Sequence, residues 1–391
     1  MFKKEKGNKM REAVILDAVR SPIGKNRGSL KDWRADDLLG YLFTKLLERN
    51  PKVDPNVIED AIVGCVTQTS EQGMNISRLA VLNANLPVDV PGTSVNRLCG
   101  SGLQAYNFGA QGIIANSYDL LLTGGVETMT RVPMMSDGAD PSEKIKRNHH
   151  IVSQGISAEL IAERWGITRL ELDTLSAESH SRLVKAQKAG YFDKQIIPIP
   201  VKSENGETLF KYDEGVRPET TIEKLGNLKP AFKQPDGLVT AGNSSQLSDG
   251  ASAVLVSSMD YADELGVKPR ARFVASALAG VDPTIMLTAP MPATERVLKR
   301  TKLTLDDMDV IELNEAFASV VMAYKNDLSP DSKKLNPNGG AIAHGHPLGA
   351  TGSILLTKTI NELERTGGKY GLITMCIGFG QGIATIIERI N

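Results

Sequence analysis

Cys99 is the residue with the most chemistry to offer. It stands in Asn96-Arg97-Leu98-Cys99-Gly100-Ser101-Gly102, just before an expected helix. The positive end of a helix dipole favours thiolate, and flanking glycines let a substrate carbonyl approach the backbone. A cysteine taken alone is more often a small buried core residue. The glycine-rich helix start makes a nucleophile an equal contender. His346 has a matching setting, Gly339-Gly340-Ala341-Ile342-Ala343-His344-Gly345-His346-Pro347-Leu348-Gly349. An imidazole there suits a base for a thiol. The His344-x-His346 pair raises a metal site, but no third ligand is nearby, so no metal is expected. The glycine run also resembles a dinucleotide loop, yet no convincing strand precedes it. Cys376 falls at an expected strand end in Thr374-Met375-Cys376-Ile377-Gly378-Phe379-Gly380-Gln381-Gly382, where open α/β sheets place ligands. Asn314, in Asn314-Glu315-Ala316-Phe317-Ala318, follows a strand and opens a helix; its default role is an N-cap.

These residues need a scaffold, and the apolar pattern supplies one. Strands are expected at Ala13–Leu16, Ala61–Val66, Tyr118–Leu122 (closed by Gly124-Gly125), Ala271–Ala275, Val310–Glu312, Tyr370–Cys376 and Gly382–Glu388. Helices are expected at Ala35–Leu47, Ser77–Ala84, Leu103–Ala115, Pro292–Lys299 and Ala316–Tyr324, and from the Gly339–Gly352 run through Leu363. Continuous apolar strands alternating with helices imply a covered sheet with parallel pairs. Between Thr130 and Ser245 the chain is richer in charge, proline and glycine, with helices at Ser157–Arg164 and Leu170–Ala189 and a capping-box spacing at Thr168–Glu171. That segment reads as an insertion over an α/β body. The Cys99 and His346 stretches are weakly alike, which suggests a duplicated half-fold.

Bulk properties set the limits. The chain has 391 residues, a formal net charge of −1, 41% hydrophobic and 23% charged residues. There is no basic excess for nucleic acid or a membrane surface, and no apolar run long enough to span a bilayer. Three cysteines in an odd, spread pattern do not form a secreted disulfide framework, so a reducing, cytoplasmic setting is expected. Residues 1–10 carry four lysines without an apolar stretch behind them and read as a frayed tail.

Taken together, Asn96–Gly102 around Cys99, Asn314-Glu315-Ala316-Phe317, Gly345-His346-Pro347 and Cys376-Ile377-Gly378 resemble the thiolases in order and spacing, over nearly the whole chain. Thr240–Ser245 is similar to that family's CoA-contacting segment. The resemblance implies a five-layered α/β/α/β/α fold of duplicated βαβαβαββ halves: residues 1–129 with 246–270, a CoA-binding loop domain over 130–245, and 271–391. It implies that Cys99 carries the acyl group and that His346 activates it. Cys376 would move the proton at the α-carbon. Asn314 would hold a water that, with His346, stabilises the enolate oxygen. The N–H groups of Cys99 and Gly378 would form a second oxyanion hole. Ser245 would contact pantetheine, Arg217 the adenine end, and Phe232 and Phe317 the tunnel wall. Substrates would be acyl-CoA, acetyl-CoA and CoA, with no cofactor, in a homodimer or homotetramer.

This sequence departs from the family at three places. Phe379 stands where glycine is usual. Val152-Ser153-Gln154-Gly155 replaces the His-Met pair of short-chain members, which tilts the reading to a 3-ketoacyl-CoA thiolase of fatty-acid breakdown over an acetoacetyl-CoA thiolase. The Arg131–His150 stretch is shorter than in tetrameric members. His344 has no assigned role. A β-ketoacyl synthase would use two histidines, or histidine and asparagine, with its cysteine; here Cys376 takes that place. A non-catalytic CoA-binding relative would not need all four groups.

Overall fold

The computed structural model describes residues 11–138, 140–203 and 206–390. The lysine-rich residues 1–10 lie outside the described residues. Among the described residues nine strands form the main sheet: β1 (Ala13–Arg20), β2 (Ala61–Gly64), β3 (Thr93–Val95), β4 (Leu120–Thr128), β5 (Ser248–Ser258), β6 (Ala271–Gly280), β7 (Val310–Leu313), β8 (Tyr370–Ile377) and β9 (Gln381–Arg389). A short stub, Gly24–Lys25, pairs with β5. Their order is β7-β8-β9-β6-β1-β5-β4-β2-β3.

The middle of this sheet is a seam. β1 and β6 pair only at Val14↔Arg272 and Ile15↔Ala271, whereas β6 pairs with β9 from Ala271 to Gly280. Two half-sheets therefore meet at their edges. In the first, β1·β5 and β5·β4 are antiparallel, and β4·β2 and β2·β3 are parallel. In the second, β6·β9 and β9·β8 are antiparallel and β8·β7 is parallel. A parallel bridge, Ile311↔Leu335, stands where the first half has β3. The halves are duplicates in topology, as the similar Cys99 and His346 stretches suggest.

Strand side chains alternate between faces, and the packing follows that period. Leu120 and Leu122 face an outer layer with α1 (Ala35–Glu48) and α2 (Ile76–Asn83), through Leu38, Leu42, Phe43 and Ala80. Leu121 faces inward with Ile15, Val254, Ile373 and Met375, onto α3 (Ser101–Ile114) and α8 (Leu348–Thr366). The far face of the second half-sheet is covered by α6 (Pro290–Thr301) and α7 (Ala318–Leu328), through Val297, Val320 and Tyr324. This is the expected α/β/α/β/α stack. The two inner helices pack almost backbone to backbone: a Cβ on Gly102 would lie 2.7 Å from the Gly349 carbonyl, and one on Gly352 would lie 2.4 Å from the Leu103 nitrogen. Glycine is required at both positions because each would clash with backbone, which cannot swing away.

The middle segment contributes α4 (Gln154–Arg164) and α5 (Arg169–Lys188). Thr168 and Glu171 form the reciprocal capping box expected at the start of α5. A buried ion pair, Arg20–Asp213 at 2.7 Å, ties the segment to β1.

Two expectations are corrected. The chain does not turn at Gly124-Gly125; β4 continues through both to Thr128, because a Cβ on Gly124 would lie 2.2 Å from the Ser252 carbonyl of the neighbouring strand. β5, the fully buried Ser248–Ser258, was not anticipated. Its sequence is rich in serine, and burial is satisfied by bonds such as Ser252 Oγ to the Val19 carbonyl at 2.8 Å. Only its middle, Ala253-Val254-Leu255-Val256, carries a strand signal; the serine- and glycine-rich ends do not.

Candidate active site

Cys99 lies in a tight turn before α3. The turn is self-bonded: Leu98 N–H donates to Asn96 Oδ1 at 2.8 Å, and Ser101 Oγ donates to the Leu98 carbonyl at 2.6 Å. Leu98 takes a left-handed φ of 45° to close it. This turn sits on the hairpin between β8 and β9. Arg97 Nη1 donates to Gln381 Oε1 at 3.2 Å, and a Cβ on Gly378 would lie 3.0 Å from Leu98 Cδ1. The backbone N–H groups of Gly378 and Cys99 lie near the Cys99 sulfur and act to lower its pKa.

The sulfur is nevertheless a thiol. Burial pushes its pKa up to about 11, more than those two N–H groups lower it. The thiolate expected from the helix start is therefore not the resting state: desolvation of an anion outweighs a helix terminus. Cys99 needs a base. Cys376, at the end of β8 and 1% exposed, is pushed higher still, first by burial and then by the nearby Cys99 sulfur. The two thiols thus share one site, although 277 positions of sequence separate them.

His346 follows a short helix (Ala341–His344) and Gly345, whose φ is 102°. The long helix begins at Leu348, so the imidazole precedes it by one proline. Its backbone N–H is held by the Gln246 carbonyl and by Ser248 Oγ, each at 3.2 Å. Nδ1 lies 2.6 Å from Thr351 Oγ1, and that hydroxyl donates to the Pro347 carbonyl at 2.8 Å. With its one proton committed, Thr351 accepts, so Nδ1 carries the imidazole hydrogen and Nε2 presents a lone pair. Burial lowers the ring to about 4, which keeps it neutral and able to take a proton.

Asn314 lies 3.2 Å from that lone pair through Nδ2. It is not an N-cap: α7 starts at Ala318, its N-cap is Phe317, and no side chain caps it. Asn314 is fully buried, and among the described residues its Oδ1 has no hydrogen-bond donor. An unpaired buried oxygen costs about 1–3 kcal/mol unless something donates to it, so it suits a bound water.

This constellation has relatives. A family model described as the thiolase N-terminal domain matches residues 13–260, and one described as the thiolase C-terminal domain matches residues 267–389. The chain belongs to the thiolase family. It is 47% identical over 387 residues to a 3-ketoacyl-CoA thiolase of Aliivibrio fischeri, covering 97% of this chain and 100% of that one. Its fold superposes on the Bacillus anthracis acetyl-CoA acetyltransferase with a TM-score of 0.91 at 37% identity, covering 98% of this chain and 100% of the other. The human mitochondrial 3-ketoacyl-CoA thiolase gives 0.90 at 38%, covering 97% and 100%.

The residues that the family resemblance offers for CoA fall into two groups. Ser245 N–H donates to the Ala316 carbonyl at 2.9 Å, and Ser244 bridges to Phe317, so Ser245 is brought alongside the Asn314 loop. Phe232 and Phe317 meet edge to face at 6.0 Å. The Phe232 ring lies on Gly155, at the start of α4. Arg217 is anchored elsewhere: it is exposed, and its backbone N–H donates to His180 Nδ1 on α5 at 3.1 Å. Its carbonyl accepts from the Thr220 N–H at 3.1 Å, and Thr220 begins the Thr220–Glu223 side of an open hollow also lined by Thr174, Glu178 and Ser181.

Other residues of the site carried no sequence signal as such. Glu127 joins the two thiolase halves, accepting from the N–H groups of Val66 at 2.9 Å, Thr67 at 3.1 Å and Gly349 at 2.8 Å. Thr351 and Ser248, which aim His346, are likewise small polar residues whose task depends on neighbours from other parts of the chain.

Proposed function

We propose that this acyltransferase cleaves 3-ketoacyl-CoA with CoA, giving acetyl-CoA and an acyl-CoA two carbons shorter, and runs the reverse condensation. The observation that carries the reading is the pairing of two buried thiols with a neutral imidazole whose Nε2, 3.2 Å from Asn314 Nδ2, keeps the lone pair that can take a proton. His346 Nε2 takes the Cys99 proton as the sulfur attacks the C3 carbonyl. The Gly378 and Cys99 N–H groups hold the resulting oxyanion. The C2–C3 bond breaks, and its electron pair becomes the enolate of acetyl-CoA. The newly protonated Nε2 and a water on Asn314 Oδ1 stabilise the enolate oxygen, and Cys376 protonates C2. The imidazolium then returns its proton to Cys376. His346 next takes the thiol proton of incoming CoA, whose sulfur displaces acyl-Cys99, and hands that proton to the leaving Cys99 sulfur. Every proton is accounted for, and no metal or redox partner enters.

Ser245, Phe232 and Phe317 suit the pantetheine arm, and the exposed Arg217 suits the charged adenosine end. Residues 130–245 would then be the CoA-binding segment between the two halves, 1–129 with 246–270 and 271–391. We read the protein as a cytoplasmic homodimer or homotetramer acting in fatty-acid breakdown. Among the described residues no helix is long and apolar enough to cross a membrane.

The test is CoA-dependent loss of the 3-keto thioester with substrates from four to sixteen carbons, alongside mass spectrometry of Cys99. Cleavage over many lengths with acyl-Cys99 supports the reading. Activity on the four-carbon substrate alone makes this an acetoacetyl-CoA thiolase. A folded protein that never acquires an acyl group is a CoA-binding relative and overturns it.

A further inference from the structure

Phe379 occupies the tip of the hairpin that holds Gly378 against Cys99. The hairpin closes at the Ile377↔Gln381 pair, leaving Gly378, Phe379 and Gly380 as its loop. Gly380 has φ 79° and Phe379 has φ 59°, a left-handed conformation that glycine adopts freely and a residue with a Cβ resists. The phenylalanine ring recovers nothing by burial, because the residue is 54% exposed. Two unfavourable features thus coincide next to the sulfur. Strain of that kind persists where function uses it.

The surroundings say what the ring meets. Leu98, the residue before Cys99, is also left-handed and leans over Gly378. Gln154 Nε2 approaches the same glycine at 3.4 Å from where its Cβ would be. On the other side, Gly380 abuts Val281 and Pro283, and the Val281 N–H donates to the Gly380 carbonyl at 2.8 Å. The loop that carries Phe379 is therefore held between Leu98, which precedes Cys99, and the Val281–Pro283 backbone, with the ring itself left exposed one residue from Gly378. The aromatic pair Phe232–Phe317 rests on Gly155, one residue beyond Gln154 at the start of α4.

We propose that Phe379 is a specificity-determining residue whose exposed ring packs against the acyl chain of the substrate beyond its first carbons, and so favours longer 3-ketoacyl chains over the four-carbon one. The inference rests on the thiolytic reading above. An extended alkyl chain is the occupant that an exposed aromatic beside an acyl-carrying sulfur rewards, since each buried methylene strengthens binding while the reacting atoms stay fixed.

Steady-state cleavage by full-length native protein, Phe379→Gly, Phe379→Asn and Phe379→Leu decides it, using four-carbon and twelve-carbon 3-ketoacyl-CoA. Glycine and asparagine tolerate the left-handed backbone without the ring, and leucine keeps apolar bulk. The ratio of kcat/KM for twelve over four carbons should fall about tenfold in Phe379→Gly and Phe379→Asn, and about threefold or less in Phe379→Leu. An unchanged ratio overturns the proposal, whether both rates hold or both fall together. A raised KM for free CoA at constant ratio also overturns it, placing the ring on the pantetheine path. Failure of the native protein on every substrate is a different result, because it removes the thiolytic reading itself.

Discussion

Asn314 Nδ2 meets His346 Nε2 at 3.2 Å, joining the loop after β7 to the loop before α8. The proposed enolate site is built on this contact. Asn314→Ala should lower thiolytic cleavage by about 10²–10³, corresponding to about 2.7–4 kcal/mol of transition-state stabilisation. Exchange of acyl groups between Cys99 and CoA forms no enolate and should fall much less. Steady-state cleavage and isotope-labelled acyl exchange measure the two steps. Equal losses in both would mean that Asn314 only orients the imidazole.

Thr351 fixes the imidazole tautomer by accepting from Nδ1 while donating to the Pro347 carbonyl. Thr351→Val removes that acceptor, so kcat should fall by about 10–100-fold, the loss seen when a metal-ligating histidine is deprived of the partner that fixes its tautomer, taken here as the analogue. Thr351→Ser keeps the hydroxyl and should restore most of the rate. Equal loss in both variants would trace the effect to packing.

The two thiols should divide the chemistry. Cys99→Ala should abolish covalent acylation, read by intact mass. Cys376→Ser should still acylate but fail to condense or cleave the carbon–carbon bond at a measurable rate. With His346→Ala, alkylation of Cys99 should rise with pH toward the thiol's own value of about 11. Rapid alkylation at neutral pH in that variant would show that the site itself, without the base, holds a thiolate.

Acid should destabilise the fold early. His346 and His180 are each lowered to about 4 by burial, and His344 is lowered further by burial and Lys358. An unfolded histidine has a pKa near 6.5. Below that value the unfolded chain binds protons that the folded chain refuses, so stability present above about pH 6.5 is lost as pH falls toward 4. Each such histidine steepens the slope by up to about 1.4 kcal/mol per pH unit. His344→Leu should flatten the curve of urea midpoint against pH between 4 and 6.5. An unchanged slope would show that His344 does not stay neutral in the fold.

The elements were largely legible where burial on both faces writes a continuous apolar run, as in β1, β7 and β8. They were illegible where small residues do the work. β5 is buried over its length, yet its serine-rich ends look like a loop, because a buried hydroxyl such as Ser252 Oγ finds its partner on another strand, at the Val19 carbonyl. Gly124 and Gly125 look like a turn until the neighbouring backbone is in place. The His344 position also became interpretable only in three dimensions: Nδ1 hydrogen-bonds the Gly345 carbonyl at 2.7 Å, and Nε2 faces Lys358, itself paired with Glu312 at 2.9 Å.

The sequence by itself determined which chemical groups exist and the order in which they occur: a soft nucleophile before a glycine-rich helix, a histidine before another, a second thiol at a strand end, and an amide after a strand. Local spacing carries that information, because each motif is set by a few adjacent residues. Tertiary structure alone decided their states. Burial made Cys99 a thiol in spite of its helix start, Thr351 chose the tautomer of His346, and Asn314 became a neighbour of that imidazole in place of a cap. Desolvation and hydrogen bonding depend on what comes to surround a group, and those neighbours arrive from both halves of the chain.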